Sequence, residues 1–139
     1  MNPRRFVLDT SVAVAWYLPE SFAASARTWQ ERLITGDIEL YVPSLHDWEF
    51  VNVLRTYVRR GGLDRQTAEE ILAVHLDAPV KHAEPDRGRV LAAAFENECT
   101  VYDAVYIAMA VELDCGLITA ERSTTPWVVH QGERVRTVK

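Results

Sequence analysis

The sequence predicts an α/β fold with a mostly parallel central sheet and helices on both faces of the sheet. Two observations support this class. Short apolar segments recur along the chain, and longer segments with apolar residues at helical spacing separate them. The chain has 139 residues, of which 48% are hydrophobic and 25% charged, so residues 1–139 should form one domain around a continuous core.

Residues that cap or end helices set the bounds of the elements in the first part of the chain. The predicted elements, in order, are strand 5–9, helix 10–18, helix 22–35, strand 38–42, helix 44–60 and helix 64–76. Thr10 and Ser11 are candidate caps of the first helix. Ser44 and Asp47 have the spacing of a capping box at the start of the third helix.

The remaining chain continues the same alternation. The predicted elements are an extended segment 78–83, helix 86–99, helix 100–113, strand 116–120 and strand 134–138. Thr100 and Asp103 form a second capping-box pair, and apolar residues cover almost the whole circumference of the helix that follows, which predicts burial on most sides. Segment 122–132 has no clear pattern. Trp16, Trp29 and Trp48 are predicted core residues, whereas Trp127 is a candidate for exposure.

Charge and cysteine content exclude several classes of protein. A formal net charge of -5 argues against a protein that binds nucleic acid through bulk electrostatics. Cys99 and Cys115 are too few for a disulfide framework or a cysteine-based metal site, so both should be reduced core thiols. The sequence contains no signal-peptide pattern and no uninterrupted apolar run long enough to span a membrane, so we expect a cytoplasmic protein.

Four acidic residues interrupt apolar surroundings: Asp9, Glu49, Asp103 and Glu121. Each has a simple structural explanation, because Asp9 and Asp103 could stabilise the positive end of a helix and Glu121 could lie on the surface. Glu49 is harder to explain, since its helical neighbours are apolar and an unpaired buried carboxylate costs several kcal/mol. A cation is the simplest compensation for it.

The predicted topology can bring these acids together. Asp9 and Glu121 each follow a strand, and ligands of open parallel sheets bind beyond the carboxyl ends of the strands. Glu49 and Asp103 lie in the first turns of helices, so all four carboxylates can reach one crevice. Crowded carboxylates raise one another's pKa unless a cation neutralises them, and an all-oxygen ligand set suits Mg²⁺ or Mn²⁺.

Other chemistries fit the sequence less well. A glycine-rich phosphate loop does not follow the first strand, and Ser11 stands where a haloacid-dehalogenase-type phosphatase needs a second acid. The four histidines show neither ligand spacing nor pairing with a nucleophile, so we expect surface or core histidines. They are His46, His75, His82 and His130.

Three segments carry a resemblance to a known family. They are "FVLDTSVAVAW", "VPSLHDWEFVNVLRTYVRRG" and "TVYDAVYIAMAVELDCGLITAE". In order and spacing they resemble the acidic motifs of PIN-domain ribonucleases, and within that group the VapC toxins of toxin-antitoxin systems. The resemblance implies a three-layer α/β/α sandwich in which Asp9, Glu49 and Asp103 are the central acids. Glu121 falls on the fourth acidic position, where most relatives have aspartate.

The resemblance also implies a function. It points to an endoribonuclease that uses Mg²⁺ or Mn²⁺ and acts as a toxin that inhibits translation or growth. Its expected partners are an RNA substrate, a small VapB-like antitoxin and a second copy of the chain, with Trp29 and Leu33 as candidate contact residues. The polar residues beside the acids, Thr10, Ser11, Asn52 and Thr119, are candidates to orient carboxylates or water. The alternative is an inert PIN-fold module that binds RNA or protein.

Overall fold

The computed structural model describes residues 3–139, and within that range a five-stranded sheet forms the centre of the molecule. Every pair of neighbouring strands in it is parallel, in the order β3-β2-β1-β4-β5. The strands are β1 Arg4–Leu8, β2 Ile38–Val42, β3 Lys81–His82, β4 Gly116–Thr119 and β5 Val135–Thr137. The predicted fold class is therefore confirmed, and the sheet is parallel throughout rather than in most of its strands.

The helices connect these strands and agree with the predicted pattern, with two differences. They are α1 Thr10–Val14, α2 Ala23–Ile34, α3 Ser44–Arg59, α4 Arg65–Leu76, α5 Arg87–Asn97, α6 Val101–Glu112 and α7 Pro126–Gln131. Helix α1 ends at Val14, four residues before the predicted end, and the chain continues to Leu18 through turns. Helix α7 lies in the segment predicted to be irregular, because six residues are too few to show a helical period.

Alternate residues of β1 face two different cores, which places helices on both sides of the sheet. Phe6 and Leu8 pack with the first four helices, whereas Val7 packs with α6 and α7. Helix α5 lies outside α6 and packs against it through Val90. The result is the predicted three-layer α/β/α arrangement.

Two of the tryptophan predictions are wrong. Trp48 is 72% exposed, because α3 buries only the stripe formed by His46, Phe50 and Leu54, and Trp48 lies on the opposite side of the helix. Trp127 is 5% exposed and belongs to the core under α6, since α7 turns it inward.

The capping residues also differ from the prediction at two helices. Asp9, rather than Thr10 or Ser11, is the N-cap of α1, and its carboxylate accepts a hydrogen bond from the Ser11 N–H at 3.4 Å. Pro43 occupies the N-cap of α3, so Ser44 is already helical and cannot form the predicted box. Thr100 caps α6 as predicted, and its hydroxyl accepts a hydrogen bond from the Asp103 N–H at 3.1 Å.

The order of the strands creates a crevice at the carboxyl edge of the sheet. Strands β1 and β4 are neighbours, but the chain leaves β1 towards β2 and returns to β4 from the other side. Ligands of parallel sheets bind where the strand order reverses in this way.

Cys99 and Cys115 are free and half-buried. Within residues 3–139 no helix is both long and apolar enough to cross a membrane.

Candidate active site

Four secondary-structure elements present the acidic residues to this crevice. Asp9 follows β1 directly, and its N–H donates a hydrogen bond to the Ile118 carbonyl of β4 at 3.0 Å. Glu121 lies two residues beyond β4, while Glu49 lies in α3 and Asp103 in the first turn of α6. The acids that the sequence singled out therefore approach one edge of the sheet from separate parts of the chain.

Asp9 is the most strongly perturbed of these acids. Its pKa is raised from 3.8 to about 6, mainly by burial and in part by the negative charges of Glu49 and Asp103. The Thr119 hydroxyl donates a hydrogen bond to Asp9 at 2.7 Å, which partly opposes this increase. The charges of the three carboxylates thus act on one another, and ionising Asp9 in the folded protein costs free energy.

Asp103 shares this electrostatic environment. Burial raises its pKa, and the neighbouring charges of Glu121 and Glu49 add to the increase. Asp103 and Glu121 line an open cleft of about 490 Å³, together with Thr125 and Trp127. This cleft opens the Asp103 and Glu121 side of the crevice to solvent.

Two hydroxyl groups hold the carboxylate of Glu49. Thr10 donates to its Oε1 atom at 3.0 Å, and Tyr106 donates to the same oxygen. The two hydroxyl oxygens are themselves 2.7 Å apart. Burial and the charge of Asp9 raise the pKa of Tyr106, so the phenol keeps the proton that it donates. Sequence reasoning missed Tyr106, although its position three residues after Asp103 places both on the same face of α6.

Glu121 is oriented by neighbouring threonines. Its carboxylate accepts a hydrogen bond from the Thr125 hydroxyl at 3.2 Å, and its N–H donates to the Thr119 hydroxyl at 3.1 Å. Thr119 is fully buried and also contacts Asp9, so one side chain connects the two acidic positions.

Only some of the polar residues that were predicted to orient the acids contact a carboxylate. Thr10 and Thr119 contact carboxylates directly, whereas the Ser11 hydroxyl accepts a hydrogen bond from the Ala120 N–H at 3.1 Å and joins α1 to the end of β4. The Asn52 side chain is exposed on α3, where the backbone carbonyl accepts a hydrogen bond from Thr56 at 3.0 Å. Asn52 is therefore not an orienting residue in this conformation.

Two of the histidines extend the site into the core. His46 contacts the Thr10 hydroxyl through Nδ1 at 3.0 Å and the His75 Nε2 atom through Nε2 at 2.9 Å. Burial lowers the pKa of His46 to about 3 and that of His75 to about 4. His82 and His130 are exposed, so the four histidines divide into core and surface residues as predicted.

The buried histidines should make the free energy of unfolding depend on pH. The unfolded chain binds protons at both residues below 6.5, whereas the folded chain resists protonation down to about 4 and about 3. Stability should therefore decrease as the pH falls through this range. Asp9 and Asp103 act in the opposite direction, because their pKa values are raised in the folded state, and they offset part of this decrease.

Urea unfolding across this pH range measures the effect. The His75→Asn variant should show a flatter pH dependence than the wild type, whereas His130→Asn, on the surface, should not differ from it. Equal slopes in all three proteins would show that the buried pair does not cause the pH dependence.

The acidic residues fit a hard divalent cation by composition and charge. Their donors are carboxylate oxygens, which Mg²⁺ and Mn²⁺ prefer, and the pKa values of Asp9 and Asp103 are raised by burial and by neighbouring negative charges. Within residues 3–139, however, no three Asp, Glu, His or Cys side chains are arranged to hold an ion as they stand. Carboxylates now bonded to hydroxyls would have to rotate to share one.

Comparison with known proteins identifies the family. Residues 6–123 match the PIN domain. The chain belongs to the PIN-domain family. This PIN domain is also 32% identical over 129 residues to Ribonuclease VapC3 of Pyrobaculum aerophilum, across 85% of the chain and 90% of that relative. The resemblance found in the sequence is therefore confirmed.

Solved structures agree with this assignment at the level of the fold. The crystal structure of PAE2754 from Pyrobaculum aerophilum matches with a TM-score of 0.72 at 23% identity, over 97% of this chain and 84% of that one. A toxin-antitoxin complex from Klebsiella pneumoniae matches with a TM-score of 0.60 at 15% identity, over 96% and 97% of the two chains.

Proposed function

We propose that this PIN domain is a metal-dependent endoribonuclease that hydrolyses phosphodiester bonds in RNA. The observation that carries the proposal is the mutual charge interaction of Asp9, Glu49 and Asp103 at the carboxyl edge of the sheet. The similarity to Ribonuclease VapC3 supports it independently. Residues 6–123, the matched part of the chain, include all three acids and Glu121.

In the proposed mechanism Asp9, Glu49, Asp103 and Glu121 would hold Mg²⁺ or Mn²⁺. Such an ion, when bound, lowers the pKa of a water molecule, orients it towards the phosphorus and neutralises charge on the leaving oxygen. Water is then the nucleophile, so neither a protein nucleophile nor the ribose 2′-hydroxyl is required. Products with a 5′-phosphate are expected.

The role of the remaining polar residues is to limit the motion of these carboxylates. Thr119 fixes one oxygen of Asp9 at 2.7 Å, and Thr10 and Tyr106 fix one oxygen of Glu49. A carboxylate held by its neighbours spends less time in unproductive rotamers, which favours ion binding and correct placement of the water.

RNA cleavage in the presence of Mg²⁺ tests the proposal. The wild-type protein should cut a labelled RNA and leave 5′-phosphate ends, and both EDTA and the substitution Asp103→Asn should prevent cutting. If the wild type and the variant bind RNA equally and neither cuts it, the protein is instead an inert PIN-fold binding module.

Glu121 differs from the other acids because its carboxylate bonds to Thr125 and its glutamate side chain is longer than the aspartate of most relatives. We expect Glu121→Gln to reduce cleavage by roughly 10-fold, less than the loss of a central acid. The same change should lower the pKa of Asp103, because it removes the negative charge of Glu121, which raises that pKa. NMR titration of the Asp103 carboxyl measures this, and an unchanged pKa would place Glu121 outside the site.

The proposed biological role is that of a toxin with a VapB-like antitoxin as its partner and with a second copy of the chain as a further partner. Exposed aromatic residues provide surface for such contacts: Trp48, Phe95 and Tyr102 are 72%, 75% and 63% exposed. The candidate contact residues Trp29 and Leu33 are engaged within their own chain. Leu33 is 6% exposed and Trp29 packs edge-on against Phe6 at 5.0 Å, so both serve the core of their own chain.

A further inference from the structure

A continuous run of hydrogen bonds leads from Glu49 into the core. Beyond Thr10, it passes through His46 and His75 and ends at Tyr17, whose hydroxyl lies 3.0 Å from the His75 Nδ1 atom. His46 is 0% and His75 2% exposed, so water cannot replace either partner. Among the described residues no buried side-chain nitrogen or oxygen lacks a hydrogen-bond partner.

The chemistry of the two ends fixes the direction of each bond. A carboxylate only accepts hydrogen bonds, so the single proton of Thr10 points towards Glu49. If Thr10 instead donated to His46, a lone pair of its oxygen would face the carboxylate oxygen at 3.0 Å. His46 must therefore donate to Thr10 through Nδ1–H.

The same reasoning continues through the second ring. The lowered pKa values keep both imidazoles neutral near pH 7, and a neutral imidazole has one donor and one acceptor. Because His46 donates through Nδ1, its Nε2 accepts, so His75 carries its proton on Nε2. The Nδ1 of His75 then accepts from Tyr17, whose pKa burial raises to about 12 and which therefore remains a donor.

We propose that Tyr17, His75 and His46 are positioning residues, a relay in which every donor points towards Glu49. The relay fixes the Thr10 hydroxyl and, through it, the orientation of the Glu49 carboxylate. The ring of Phe50 stacks on His75 at a centroid distance of 4.0 Å and prevents the imidazole from turning. The effect on cleavage rests on the proposed function, whereas the assigned proton positions do not depend on it.

NMR of the ¹⁵N-labelled protein tests the assignment directly, because the shifts of the two ring nitrogens distinguish the tautomers. We expect a proton on Nδ1 of His46 and on Nε2 of His75. Tyr17→Phe removes only the outermost donor, and the Nε2 atom of His46 still accepts from His75, so His75 should keep its proton on Nε2 in the variant. A proton on Nε2 of His46, or on Nδ1 of His75, would overturn the relay.

Two substitutions of His46 test its effect on the site. His46→Leu removes the donor to Thr10, whereas His46→Asn retains an N–H near the position of Nδ1. We expect His46→Leu to weaken Mn²⁺ binding and RNA cleavage by about 10–100-fold, and His46→Asn to recover most of this loss. Both are measured at a temperature where circular dichroism shows folded protein.

These outcomes separate the relay from a merely structural role. If the two variants lose stability equally and bind Mn²⁺ as the wild type does, the histidines only fill the core and the proposal is wrong. If the wild type does not cleave RNA, the proposed function fails, but the tautomers and the Mn²⁺ affinities still decide the relay. Should His46→Leu not fold, the tautomers in the wild-type and Tyr17→Phe spectra decide it.

Discussion

Replacing Glu49 with glutamine is expected to reduce the rate of RNA cleavage by at least about 100-fold. Glutamine has nearly the same shape, but it removes the negative charge that raises the pKa of both Asp9 and Asp103. It also presents an amide N–H to Thr10 and Tyr106 if the side chain is flipped. Single-turnover cleavage at saturating protein measures the loss without a contribution from product release.

Asp47 provides a matched control on the same helix. Its carboxylate contacts the exposed His82 side chain at 3.1 Å, and its charge is not among those that raise the pKa of Asp9. Asp47→Asn should therefore cleave RNA at the wild-type rate. Equal losses in both variants would mean that net charge or folding, rather than the crevice, controls cleavage.

Phe50→Ala is expected to have the largest effect on stability, lowering the free energy of unfolding by about 3–5 kcal/mol. The ring is 1% exposed and contacts His75, His46 and Tyr17 by stacking and edge contacts, so the variant leaves a cavity beside the relay. Urea unfolding at neutral pH measures the change.

The neighbouring Trp48 is the control for this prediction. It lies two residues earlier on α3 and is 72% exposed, so Trp48→Ala should alter the free energy of unfolding by no more than about 0.5 kcal/mol. A large loss from Trp48→Ala, or a small one from Phe50→Ala, would contradict the burial pattern of α3.

Much of the fold followed from the sequence because its signals are local. The apolar segment before Asp9 and the capping pair of Thr100 and Asp103 each specify one element within a few residues. Parallel strands end at the same edge of a sheet, so the predicted parallel sheet already placed Asp9 and Glu121 together just beyond β1 and β4. The convergence of acids was predictable for this reason.

The remaining features depend on contacts that a one-dimensional pattern does not contain. Trp48 and Phe50 are both aromatic residues of one helix, and only the packing of α3 on the sheet decides which of them is buried. The partner of His46 is 29 residues away in α4, and Tyr106 is 57 residues from Glu49. Short α7 has no period to detect, so the burial of Trp127 was missed as well.

The central physical claim is that the acids crowd into a crevice and that a divalent cation stabilises them there. In the metal-free protein Asp9 ionises with a pKa raised to about 6, so its charge is unfavourable at neutral pH. We therefore expect Asp9→Asn to be more stable than the wild type in EDTA, by roughly 1–3 kcal/mol.

Thermal unfolding of both proteins, with EDTA and with increasing Mg²⁺, tests this claim most directly. The wild type should gain stability with Mg²⁺, by about 2.7 kcal/mol at a concentration of about 100 times the dissociation constant. Asp9→Asn should start higher in EDTA and gain little. A wild type that is unaffected by Mg²⁺, or a variant that gains as much as the wild type, would contradict the account.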